Sequence, residues 1–202
     1  MPRLSLNKST LHKAERQLRT YQRFLPSLDL KRKQLIAERA KARQALCGTG
    51  NRLTELDNII ASELPMLADH EVGLEHLVTI TGSEMSEENV LGIYLPVLKQ
   101  VHLKRRTYSF LIRPHWVDRV QELMAEALTL RLRMQVQQER QRRLEKAVRK
   151  ITQRVNLFDK VLVPRARENI RRIGIFLADG ERAGVVRAKI AKIRRSTQNQ
   201  LF

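Results

Sequence analysis

The chain has one cysteine, eight glycines and six prolines in 202 residues. A single thiol, Cys47, excludes an internal disulfide framework and a cysteine-based zinc site. Aromatic side chains make up only 4% of the sequence, thin material for a broad globular core. So little glycine and proline argues against a loop-rich or all-β fold, and the abundance of Leu, Arg, Ala and Gln argues for long helices. No apolar run approaches the roughly 18 residues that a spanning helix needs. Residues 1–13 lack the apolar stretch of a secretory signal, so a cytoplasmic protein is the expectation. What the chain has in excess is positive charge. There are 39 Lys+Arg against 21 Asp+Glu, a formal net charge of +18. Such a balance favours a polyanionic partner, whether nucleic acid, an anionic membrane surface or an acidic protein surface.

The excess sits at the two ends. Residues 1–65 carry net +7, residues 66–115 net −1 and residues 116–202 net +12. These boundaries are also compositional, and they divide one domain into an N-terminal helix, a middle insert and a C-terminal helix. From Leu11 a seven-residue repeat runs in alternating steps of three and four: Leu11, Ala14, Leu18, Tyr21, Leu25, Leu28, Arg32, Leu35, Arg39, Ala42, Leu46, Thr49, Leu53, Leu56, Ile60. All but Arg32, Arg39 and Thr49 are apolar or aromatic, which is the seam of a coiled coil. The two arginines can cover apolar surface with their stems and keep their heads in water. Cys47-Gly48-Thr49-Gly50-Asn51 carries two helix-weakening glycines and predicts a bend or short break. Pro26 predicts a second irregularity.

The C-terminal third repeats the pattern. An apolar stripe opens at Val117, Val120, Met124, Ala127 and Leu130, turns polar near 135–143, and resumes at Leu144, Val148, Ile151, Val155, Phe158 and Leu162. Beyond Pro164 it changes phase, to Ala166, Ile170, Ile173 and Leu177, and Ile190 and Ile193 close it. A proline beside a phase change predicts a kink or altered supercoil there. Residues 196–202 read as a frayed end. The middle differs. Leu77–Thr81 and Val90–Leu95 are short strand-like runs separated by Gly82-Ser83-Glu84 and an acidic stretch. Val101, Leu103, Tyr108, Phe110 and Ile112 alternate around a basic turn at Lys104-Arg105-Arg106. One or two short hairpins follow, and Ser86-Glu87-Glu88 equally reads as the start of a short helix. Two amphipathic segments of similar length need each other to bury their seams. The fold expected is therefore mainly α: a long antiparallel two-helix coiled coil of N- and C-terminal segments, roughly 90 Å long, with a small mixed α/β insert.

Chemistry is scarce. Gly48-Thr49-Gly50 lacks the Lys-Ser/Thr of a phosphate loop. Asp69-His70-Glu71 with His76 has no metal-ligand spacing and reads as a polar surface loop. Cys47 reads as a helix-face residue with nothing to activate it. Acids such as Glu145 stand where pairing with Arg149 explains them. No catalytic residue, cofactor site or metal site is expected, and the chain does not read as an enzyme. The basic runs Lys31-Arg32-Lys33, Lys104-Arg105-Arg106, 140–143 and 187–195 remain. Each reads as a solvated helix face or as a surface for an acidic partner. Base-stacking aromatics are not interleaved with them, although binding to phosphates alone stays open.

Several stretches point further. Arg154-Val155-Asn156-Leu157-Phe158, Val161-Leu162-Val163-Pro164-Arg165 and Ile170-Arg171-Arg172-Ile173 together resemble the C-terminal signature of the D subunits of V-type (vacuolar/archaeal-type) ATPases. So do the spacing to Leu177 and the basic end Arg187-Ala188-Lys189-Ile190-Ala191-Lys192. The run Leu28-Asp29-Leu30-Lys31-Arg32-Lys33-Gln34-Leu35 is similar to that family's first helix, and Gly92-Ile93-Tyr94-Leu95-Pro96 to its middle segment. The resemblance implies a non-catalytic central rotor stalk inside a hexamer of catalytic A and nucleotide-binding B subunits. It implies that the small F-type stalk subunit sits on the shaft and that an adaptor subunit lies over the membrane ring. Rotation then couples ATP hydrolysis or synthesis to proton or sodium-ion movement. The chain would be cytoplasmic and peripheral to the membrane through the complex, with no direct insertion and no nucleic acid. On that reading Lys8, Lys13, Arg16 and Arg19, with Arg187, Lys189, Lys192, Arg194 and Arg195, face the hexamer bore. The neutral insert serves a different partner. The rival class is a basic coiled-coil nucleic-acid-binding protein, and a third is a scaffold at a membrane surface.

Overall fold

Alternating steps of three and four keep one set of side chains on a single helix face, and both ends of the chain are helical. The computed structural model describes residues 5–68, 74–108 and 114–198. Helix α1 spans Lys8–Glu63 and a short 3-10 turn follows at Pro65–Ala68. Strands β1 (Val78–Val90) and β2 (Ile93–Arg105) come next, and then helix α2 (Trp116–Leu157). A π turn at Phe158–Leu162 leads into helix α3 (Val163–Gln198). The fold is mainly helical with one antiparallel hairpin. The Asn7 side chain accepts the Thr10 N–H at 2.7 Å and caps the start of α1. Pro65 ends it, because the residue before a proline is driven out of helical geometry.

The break expected at Cys47–Asn51 does not form, and α1 runs through it and through Pro26. Two glycines weaken a helix by about 1 kcal/mol each, which a 56-residue helix with one buried face absorbs. Thr49, between them, is buried and donates its hydroxyl to the Ala45 carbonyl at 3.1 Å, a bond made inside helical geometry. Each of the fifteen repeat positions from Leu11 to Ile60 is buried or half-buried. Near Pro164 the chain takes a π turn. The Val163 N–H reaches the Phe158 carbonyl, five residues back, and Pro164 has no N–H to offer the Lys160 carbonyl. The extra residue in that turn accounts for the phase change. The stripe Val155, Phe158, Leu162 resumes one residue later as Val163, Ala166, Ile170, Ile173.

The insert also differs from expectation. Gly82-Ser83-Glu84 and Ser86-Glu87-Glu88 lie within β1, and no short helix forms there. Lys104 and Arg105 end β2 and make no turn. Of the one or two hairpins expected, one forms, from two strands of 13 residues, with irregularities between Ile80 and Gly82 and between Glu84 and Met85. Its two-residue turn is Leu91-Gly92, both at positive φ (55° and 80°) between the pair Val90 and Ile93, the sign that suits the strands' right-handed twist. Tyr108 lies outside any strand. Phe110, Ile112, the Asp69-His70-Glu71 loop and residues 199–202 of the expected frayed end lie outside the described residues, whereas α3 continues to Gln198.

The chain divides into two compact units, Lys31–Lys150 and Met1–Leu30 with Ile151–Phe202. In the first, Glu63 pairs with Arg119 and Arg52 with Glu126, each at 3.1 Å, so α1 and α2 run antiparallel. Leu56, Leu64, Leu77, Val78, Val117, Val120 and Leu123 form its core where the helices meet the base of the hairpin. Leu35, Leu95 and Leu144 are also fully buried. In the second unit the Tyr21 ring stands edge-on to Phe158 with centroids 5.5 Å apart. Ala14, Ile151, Val155, Val163, Ala166 and Ile173 are buried there.

Candidate partner-docking surface

The sequence offers charge and apolar stripe, and the structure decides which of these face outward. In the second unit Lys8, Lys13, Arg16 and Arg19 are exposed on α1, and Arg187, Lys189, Lys192, Arg194 and Arg195 are exposed on α3. The two groups do not lie side by side. Tyr21 meets Phe158, so thirteen residues back along α1, at Lys8, the antiparallel partner is near Arg171. Arg187 stands sixteen residues further on, roughly 24 Å at 1.5 Å per residue. The four α1 cations therefore flank the paired part of the helices. The five α3 cations project on a stretch that the described part of α1 does not reach.

Burial agrees with that geometry. Ile173 is fully buried and Leu177 half-buried, and from 178 to 195 every residue is exposed. The stretch still carries large apolar side chains, Val185, Val186, Ile190 and Ile193, each about half exposed or more. Leu11, Leu18, Leu25 and Leu28 are half-buried and Leu35 buried. Leu144, Val148, Ile151 and Val155 are buried, Phe158 and Leu162 half-buried. The α3 end is thus a single helix with cations and apolar groups both facing water. The Arg187 Nε donates to the Ala183 carbonyl at 3.1 Å, holding that side chain along the helix.

A second charged arrangement was not read from the sequence. Arg140 of α2 meets Glu88 of β1 at 2.8 Å. Arg143 lies 3.7 Å from Glu87 and donates to the Tyr94 carbonyl at 3.0 Å. The available signal was the acidic run 84–88 in an otherwise basic chain, facing a basic run at 140–143. The Arg52 guanidinium is held above its ordinary pKa by Glu55 and then Glu126, and that of Arg119 by Glu63 and then Glu122. Arginine is charged throughout the working pH range in any case. Cys47 is exposed on α1. Among the described residues no group of acids, histidines or cysteines could hold a metal ion, and no helix is long and apolar enough to cross a membrane.

The family model for the ATP synthase D subunits matches residues 10–193. Curated relatives match over nearly the whole length. The V-type ATP synthase D subunit of Borreliella burgdorferi is 28% identical over 95% of each chain. The proteins of that name from Chlamydia muridarum and Chlamydia trachomatis are 32% and 31% identical, over 94% of each chain.

Proposed function

We propose, from the premise that this chain belongs to the family of ATP synthase D subunits, that it is the central rotor stalk of a V-type ATPase or ATP synthase. It carries no catalysis itself. It turns within a hexamer of catalytic A and nucleotide-binding B subunits, carries the small F-type stalk subunit, and stands on an adaptor over the membrane ring. Its rotation couples ATP hydrolysis or synthesis to proton or sodium-ion transport. The observation that carries this reading is the α3 end, a lone helix whose residues 178–195 are all exposed, with six cations and four large apolar groups among them.

The physics of the role suits that end. A shaft coordinates identical sites only through contacts that differ between their states, since a contact equal in all of them shifts nothing. A single helix that continues past its partner is asymmetric by construction. Long cationic side chains attract acidic walls over a distance of about 8–10 Å at ordinary ionic strength without a fixed geometry. That permits sliding where an interlocked apolar seam would hold. Nucleic acid is the weaker reading, because residues 178–195 include no aromatic ring for a base to stack on.

The test reverses the charge of Arg187, Lys189 and Lys192 together to glutamate in the assembled complex. Assembly should weaken, and ATP hydrolysis should uncouple from ion pumping in what does assemble. Full hydrolysis with full pumping refutes the reading. Co-elution of the native chain with nucleic acid and a steep salt slope would favour the rival.

A further inference from the structure

We propose that the β-hairpin is an electrostatically latched arm, hinged at its base and able to swing off the α1–α2 pair. The two ends of the hairpin are held by different forces. At the base, Leu77 and Val78 belong to the hydrophobic core. The Gln121 side chain of α2 donates to the Leu77 and Arg106 carbonyls at 3.1 and 3.0 Å, clasping both strand stems. The Arg106 N–H bonds the Leu77 carbonyl across the stems at 2.9 Å. This end is packed and hydrogen-bonded, and it is the hinge.

Towards the turn the attachment is charge. Glu88 is held by Arg140, and Glu87 faces Arg143, which also takes the Tyr94 carbonyl. Arg143 is shared with Glu139 on its own helix at 3.2 Å, so the hairpin competes for it. At the turn itself the Lys31 ammonium of α1 lies beside Gly92, 3.8 Å from where a β-carbon would stand. Both hairpin carboxylates are more than half exposed, so water and salt reach the pairs and weaken them.

Between hinge and latch the hairpin spans an open groove. The groove, about 370 Å³, lies under β2 and is lined by Ala42 and Ala45 of α1, Val97 and Leu98 of β2, and Val136 and Gln137 of α2, together with the charged Lys41 and Arg140. The Gln137 side-chain oxygen is buried with no hydrogen-bond partner. Buried polar atoms are normally satisfied, so this unpaired oxygen counts against the closed position. The apolar contribution that holds this half of the hairpin comes from Leu95, which is fully buried, and from the half-buried Ile93, Pro96, Val97 and Leu98. An arm with a firm base, an open groove beneath its middle and solvent-exposed ion pairs near its tip rests closed while those pairs hold and opens when they are screened or reversed. Opening would present Leu95 and the underside of β2 to another protein.

The experiment uses the full chain alone, so its outcome is independent of the rotor reading. Spin labels are placed through Tyr94→Cys and Lys146→Cys in a Cys47→Ser background, and the distance between them is measured by pulsed electron resonance. At low salt one short distance should dominate. In 1 M salt, or with Arg140→Glu and Arg143→Glu, a longer population should grow about tenfold. Adding Glu87→Arg and Glu88→Arg to the reversed chain should restore the short distance. A distribution unchanged by salt and by charge reversal overturns the proposal. The salt titration of the labelled chain decides the matter even where the reversed chain folds poorly.

Discussion

Gly48 and Gly50 provide a direct test of the helix that crosses them. Neither has a positive φ, and a β-carbon added at either would meet nothing within 4 Å. Alanine at these positions therefore adds no clash and removes no contact. What it changes is the unfolded chain, which loses backbone freedom, and the helix, which gains a better former. Each substitution in a helix interior is worth about 0.8–1 kcal/mol. With no shared neighbour the two effects should nearly add, so the double variant should be about 2 kcal/mol more stable. For a chain of this size that is an increase of roughly 4–8 °C in Tm. Urea unfolding followed by far-ultraviolet circular dichroism measures the free-energy gain, with an unchanged denaturant slope, and a thermal scan measures the rise in Tm. Gly92→Ala serves as the opposite control. Its φ of +80° belongs to the left-handed region, where a β-carbon costs about 1–2 kcal/mol, so this variant should lose stability by the same assay. A double variant at 48 and 50 that is less stable than the native chain would refute the reasoning. It would mean that the backbone at Cys47–Asn51 leaves right-handed helical geometry, as the two glycines suggest when read alone.

Two other substitutions probe neighbouring features. Leu144 is fully buried, and Leu144→Ala should cost about 3 kcal/mol through lost burial and the cavity left behind, read from the midpoint of urea unfolding. Leu91 takes a φ of 55° in the hairpin turn, and Leu91→Asn should gain about 0.5 kcal/mol because asparagine tolerates that region and favours such turns. The gain should appear as slower amide exchange at the strand pairs next to the turn.

Much of the helical architecture was legible because it follows from local periodicity. Every step of the repeat from Leu11 to Ile60 falls on a buried or half-buried position, including Arg32, Arg39 and Thr49, which an apolarity count alone would have rejected. The disturbance at Pro164 was legible as well. Its form, a π turn that inserts one residue, was not, since proline removes a donor without dictating how the helix accommodates the loss. The insert was the least legible part. The acidic, serine-rich run 83–90 has little strand propensity of its own. It becomes strand because the β-branched and aromatic run from Ile93 pairs with it, and because Arg140 and Arg143, more than fifty residues on, receive its carboxylates.

The candidate surface divides in the same way. The sequence alone determined that the ends are basic and that both carry a helical seam. Those properties depend on composition and on spacings of three and four, which any helix would display. Only the tertiary structure decided which cations share a level, because that depends on where one helix meets the other. Tyr21 against Phe158 sets that register, and from it the α3 end overruns α1, leaving Val185, Ile190 and the cations from Arg187 onward exposed together. A seam repeated every seven residues can pair at more than one offset, so the offset, and with it the free end, is a property of the packed fold.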